Sequence, residues 1–108
     1  MQTPVEIAFR HCEATDEMRA EIATQLRRLD RFGDRITSCN VVVTGPGKRH
    51  RTGSPFHVEL LINMTPHKNI AVSKHEAPER EHPLVAIREA FSEAIRQLEE
   101  ANRETRAH

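Results

Sequence analysis

The chain has 108 residues, of which 37% are hydrophobic and 30% charged, with four Phe and no Trp or Tyr. That length suits one domain with one modest core, and the composition excludes both a disordered chain and a membrane-spanning one, because no apolar run is long enough to cross a bilayer. Sixteen basic and sixteen acidic residues cancel to a net charge of zero, so any claim on a polyanionic partner must come from how the charges are distributed.

They are segregated. Residues 1–18 carry one base and four acids, residues 19–75 ten bases and four acids, and residues 76–108 five bases and eight acids. The middle is therefore strongly positive, and each end is negative.

The N-terminus, Met1 to Phe9, has neither a basic leader nor a long apolar stretch, which points to a cytoplasmic protein without a signal peptide. Val5, Ile7 and Phe9 alternate with Glu6, Ala8 and Arg10, the period of a strand with one buried face. Thr15 is a candidate helix N-cap, with Asp16 and Glu17 on the first turn. Met18, Ile22, Leu26, Leu29 and Phe32 then recur at helical spacing until Gly33, leaving Arg27, Arg28 and Arg31 on the solvent side.

Ile36 to Thr44, with Val41, Val42 and Val43, reads as a second strand ended by Gly45-Pro46-Gly47. The loop beyond it carries Lys48, Arg49, His50 and Arg51, three fixed charges and one titratable group on a flexible backbone, the makings of a phosphate clamp. Phe56, Val58, Leu60, Ile62 and Met64 alternate with His57, Glu59, Leu61 and Asn63, and Ile70 and Val72 resume the pattern to about His75. This predicts two further strands in an antiparallel meander. Residues 76–82 read as a polar turn, and Pro83 opens a last helix whose apolar stripe is Leu84, Ile87, Phe91, Ala94, Ile95 and Leu98, fraying beyond Ala101.

The order β-α-β-β-β-α has two one-striped helices. Both can be buried only on the same side of the sheet, giving a two-layer α+β domain over residues 1–108. The open face would carry Arg10, Asn40, Thr44, His57, Glu59, Ser73 and His75.

Evidence for chemistry is thin. Cys12 and Cys39 lack CxxC spacing and read as half-buried thiols rather than a staple or a redox pair. His57, Glu59 and His75 could converge on the open face, but no motif fixes a tetrahedral metal site, so neither a metal nor another cofactor is expected. No nucleophile elbow or glycine-rich nucleotide loop is present, and the protein is not expected to be an enzyme. On the last helix, Glu89, Glu93, Glu100 and Glu104 form a ridge, with Arg96–Glu100 and Glu99–Arg103 spaced for intrahelical ion pairs.

The stretch Leu29-Asp30-Arg31-Phe32-Gly33-Asp34-Arg35-Ile36-Thr37-Ser38-Cys39, followed by Val41-Val42-Val43, resembles the segment joining the first helix to the second strand in the ribosome hibernation-promoting factor family, also called ribosome-associated inhibitors or sigma-54 modulation proteins. Ile7-Ala8-Phe9-Arg10-His11, Gly45 to Arg51, Phe56-His57-Val58, Val85 to Phe91 and Arg96 to Glu99 are similar to other parts of its short branch. The likeness covers nearly the whole chain, with departures at His82-Pro83-Leu84 and Glu99 to Asn102.

The resemblance implies a stress-response protein that lodges in the small ribosomal subunit where messenger and transfer RNA bind, restraining translation as a monomer or weak homodimer. It implies RNA-facing roles for Arg27, Arg28, Arg31, Lys48, Arg49, Arg51, Lys68, Lys74, Arg88 and Arg96. Pairing of ribosomes through the C-terminal extension of the long members is not expected. The rival expectation is a protein-interaction module of the same fold that has lost ribosome binding.

Overall fold

In the computed structural model, residues 3–45, 56–65, 68–75 and 83–106 are described. Alternation of apolar and polar residues builds four strands: β1 (Val5–Arg10), β2 (Ile36–Thr44), β3 (His57–Met64) and β4 (Lys68–His75). The helices are α1 (Asp16–Arg28) and α2 (Pro83–Arg106). The order is β-α-β-β-β-α, an α+β fold.

Spatial strand order follows chain order. β1 runs parallel to β2 with Ile7 opposite Val41, whereas β2, β3 and β4 form an antiparallel meander in which Val41 faces Leu60 and Leu60 faces Val72. Because facing residues share a side of the sheet, Cys39, Val41, Val43, Val58, Leu60, Ile62, Met64, Ile70 and Val72 form one buried apolar face. Both helices cover it. Met18, Ile22 and Leu29 from the α1 segment and Ile87, Ala90, Phe91, Ala94, Ile95 and Leu98 from α2 join a single core cluster with these strand residues, as two one-striped helices require.

Helix α1 begins as expected, with Thr15 Oγ1 accepting from Met18 N at 3.1 Å and so satisfying one orphan amide of the first turn. Its end differs from the expectation of a helix running to Phe32. The α-helical part stops at Arg28, and Leu29–Arg35 continues as 3-10 turns broken at Gly33, with φ 43° and ψ −120°. The tighter winding still lets Leu29 and Phe32 reach the core. Leu26, expected on the buried stripe, is only partly buried, while Gln25 is 6% exposed, because positions 18, 22, 25 and 29 trace the stripe that meets α2.

Two other expectations are corrected. Ile7, expected in the core, is 42% exposed, because β1 is the edge strand of the sheet. Cys39, expected half-buried, is completely buried, and Cys12 is the intermediate one. Helix α2 starts at Pro83 as expected and extends past Ala101 to Arg106. Residues 46–55 and 76–82, expected to be a basic loop and a polar turn, lie outside the described residues.

The end of β1 depends on Gly45. Its N–H donates to the Arg10 carbonyl at 2.8 Å, and a Cβ built there would lie 2.4 Å from Cys12 Cβ.

Two substitutions separate packing from backbone effects. Phe91→Ala empties the centre of the core and is expected to cost about 3–5 kcal/mol. Gly33→Ala meets nothing within 4 Å, so its expected loss of about 1–2 kcal/mol comes from backbone strain alone. Urea unfolding with an unchanged m-value checks both.

Candidate nucleic-acid interface

Charge along α1 is polarised by sequence. Asp16, Glu17 and Glu21 occupy its first half, and Arg27 and Arg28 its last turn. The two arginines complement the negative end of the helix dipole, and both are exposed. Arg27 Nη2 donates to Thr24 Oγ1 at 3.2 Å, and Arg28 Nη1 donates to Gln25 Oε1 at 2.8 Å. Both acceptors are neutral. Among the described residues neither guanidinium forms an ion pair, so no carboxylate there offsets either charge, and each side chain is steered by a local hydrogen bond.

The remaining arginines expected at an RNA surface are compensated to different degrees. Arg31 stacks over the Phe32 ring at 4.9 Å and pairs with Glu99 of α2 at 2.9 Å, both side chains about half exposed. Such an exposed pair is worth about 0–1 kcal/mol, little enough for a phosphate to replace the carboxylate. Arg88 donates to Glu21 Oε1 at 2.7 Å, where the carboxylate side chain is only 11% exposed. Arg96 is held by two carboxylates, Glu93 at 2.6 Å and Glu100 at 2.9 Å. They raise its pKa, the Glu93 hydrogen bond first, and leave that spot on α2 net negative.

The pairs Glu21–Arg88 and Arg31–Glu99 advance together along α2 and along α1 with the 3-10 turns that follow it, so α1 and α2 lie side by side and parallel. Glu99 was expected to pair within its helix with Arg103 and instead reaches across to Arg31. The Arg96–Glu100 pair forms as the spacing predicted. Lys48, Arg49 and Arg51 lie outside the described residues. Lys68 and Lys74 belong to β4 opposite Met64 and Val58, their side chains also outside the described set.

Sequence reasoning missed Gln25 as an organiser. It donates to Glu21 Oε2 at 2.9 Å through Nε2 and accepts from Arg28 through Oε1. One buried amide thus links the carboxylate that ties α2 to one of the uncompensated arginines. The spacing of Glu21, Gln25 and Arg28 along one helix flank was visible; the burial of Gln25 was not. Arg35, read only as part of the family-like segment, donates to the Asn102 side chain and to the Thr65 carbonyl at 3.4 Å, joining α2 to the end of β3.

The open sheet face carries Asn40, Thr44, His57, Glu59 and Ser73 as expected, interleaved with Ala8, Val42, Leu61 and Ala71. His57 Nε2 contacts Ser73 Oγ, and Glu59 Oε1 lies 3.5 Å from the same nitrogen. A catalytic triad needs the acid on the other ring nitrogen, so this trio lacks hydrolase geometry. Among the described residues no group of three His, Cys, Asp or Glu is placed to hold a metal. Burial pushes the Cys39 thiol up to about 11, and partial burial raises Cys12; both stay protonated near neutrality and unreactive as nucleophiles.

The family model for the sigma 54 modulation protein / S30EA ribosomal protein matches residues 5–106. The chain belongs to this family. It is a family of ribosome-associated factors, not a class of enzymes. The fold is shared with the crystal structure of the Thermus thermophilus Protein Y N-terminal domain, with TM-score 0.68 and 22% identity over 90% of this chain and 96% of that one. It is also shared with a ribosomal subunit interface protein from Coxiella burnetii, with TM-score 0.74 and 11% identity over 93% and 98% of the two chains. No curated protein matches the sequence. Among the described residues no helix is long and apolar enough to cross a membrane.

The Glu21 carboxyl lies below its ordinary value, chiefly through the Gln25 hydrogen bond and then through Arg88. A carboxyl depressed in the folded state stabilises the fold above its unfolded pKa, and that contribution is lost as pH falls through the folded value. Stability by urea unfolding is therefore expected to fall as pH drops below the ordinary glutamate value of 4.5, with a shallower fall in Glu21→Gln.

Proposed function

We propose that this protein is a non-enzymatic, cytoplasmic stress factor that binds ribosomal RNA of the small subunit and blocks translation by occupying the channel for messenger and transfer RNA. Family membership and the ribosomal-interface description of a structural neighbour support a ribosome as partner. The observation that carries the RNA reading is the pair Arg27 and Arg28, whose charges no carboxylate on the described surface neutralises.

Affinity for a phosphate backbone grows with the number of phosphates neutralised and falls with salt as counterions return. Arg27 and Arg28 are ready for that role. Arg31 joins when a phosphate replaces Glu99, and Lys48, Arg49, Arg51, Lys68 and Lys74 are further positive charges for the same polyanion. Arg88, implied as RNA-facing by the resemblance, ties α2 to Glu21 of α1, and Arg96 is held within α2 by two carboxylates that an RNA contact there would meet. A steric block of this kind needs no cofactor and no turnover.

Co-sedimentation with small ribosomal subunits across a salt series tests this. Wild type is expected to pellet at low salt and to release steeply as salt rises. Arg27→Ala with Arg28→Ala should lower the slope of log affinity against log salt by about 1.5–2, whereas Arg96→Ala should leave it nearly unchanged. Wild type that stays in the supernatant at low salt rules out ribosome binding and favours a protein-interaction module.

A further inference from the structure

We propose that the outer edge of β1 is a docking site for a second copy of this chain, the two β1 strands joining antiparallel about Ala8. Among the described residues no strand lies beyond β1. The Pro4 carbonyl accepts from Cys39 N, and the Arg10 carbonyl from Gly45 N, so the even-numbered residues direct their backbone groups toward β2. In a parallel pair the alternate residues point the other way. Val5, Ile7 and Phe9 therefore turn their N–H and C=O groups outward, a row of pairing sites available to another strand.

Apart from the charges of Glu6 and Arg10, the edge lacks the devices that discourage such pairing. From Val5 to Arg10 there is no lysine, proline or bulge, and Ile7 leaves 42% of its surface in water. The other edge strand, β4, begins with Lys68 and has Lys74 as its penultimate residue, the pattern by which natural sheets guard an edge.

Charge selects both the partner and the register. Glu6 and Arg10 are exposed on the same face of β1 and form no ion pair among the described residues. Four residues apart on one strand, they stand about 13 Å from each other and cannot pair within one chain. An antiparallel copy centred on Ala8 sets Glu6 of each chain opposite Arg10 of the other and Ile7 opposite Phe9. Ile7 and Phe9 then exchange their outward backbone hydrogen bonds. Ala8 sits at the two-fold axis as a close, non-hydrogen-bonded pair with Cα atoms about 4.5 Å apart, where a small side chain fits. The adjacent centring on Ile7 would place Glu6 opposite Ala8 and match no charges.

Sedimentation equilibrium at low salt, from about 1 µM to about 1 mM chain, tests the proposal on wild type, Glu6→Arg, Arg10→Glu, Ile7→Lys and an equimolar mixture of the two charge variants. Wild type is expected to dimerise in the upper part of that range. Each charge variant alone sets like charges opposite each other and should weaken association about tenfold or more, and Ile7→Lys should abolish it. The mixture restores both Glu–Arg pairs and should recover the wild-type dimer as a heterodimer, which also shows that both variants are folded. A wild type that stays monomeric throughout, charge variants that associate like wild type, or a mixture that stays monomeric overturns the proposal.

Discussion

A four-stranded sheet with only one apolar face must hide that face from water, and the rest of the structure answers this constraint. β2, β3 and β4 contribute alternate residues to the face, Val5 and Phe9 of β1 pack half-buried against it, and both helices share in covering it. α2 lies over β3 and β4 and against α1, with Phe91 fully buried. The parallel course of the two helices follows from topology, since each one returns from a strand of the same direction: β1 is parallel to β2, and β4 is parallel to both through two antiparallel steps.

Covering the apolar face sets where charge can go. Among the described residues, the α1 segment and α2 meet through charged groups along their outer flanks. Glu21 and Glu99 are spent on Arg88 and Arg31, and Glu93 and Glu100 on Arg96. Among the described residues no carboxylate pairs with Arg27 or Arg28, whose guanidinium groups face solvent. A chain of zero net charge thus keeps a locally positive surface, because ion pairs are formed by neighbours and not by totals.

The break at Gly33 has a related role. Leu29 and Phe32 keep the helical stripe, but an α-helix continued through Ile36 could not begin β2 there. Tightening to 3-10 turns and reversing at Gly33 brings the chain into β2 with Ile36 already buried. Arg35, bonded to Asn102 and Thr65, ties this corner to both α2 and the end of β3. The segment that resembles the hibernation-promoting factors is therefore the segment that turns the chain from the helix layer into the sheet.

Strand identity, the capped start of α1, Pro83 at the head of α2 and the element order were legible from the sequence, because periods of two and of about 3.6 residues reflect local backbone geometry. So was the list of arginines. Which of them are free of carboxylates was not: Arg31 meets Glu99 and Arg88 meets Glu21 across 68 and 67 residues of chain, distances that no local pattern encodes. The exposure of Ile7 and the burial of Gln25 escaped for the same reason, since the first depends on β1 lying at the sheet edge and the second on α2 packing beside α1. By itself the sequence determined the elements and the charges they carry; only the tertiary structure decided which charges cancel, because cancellation needs contact and contact between distant residues is settled by packing.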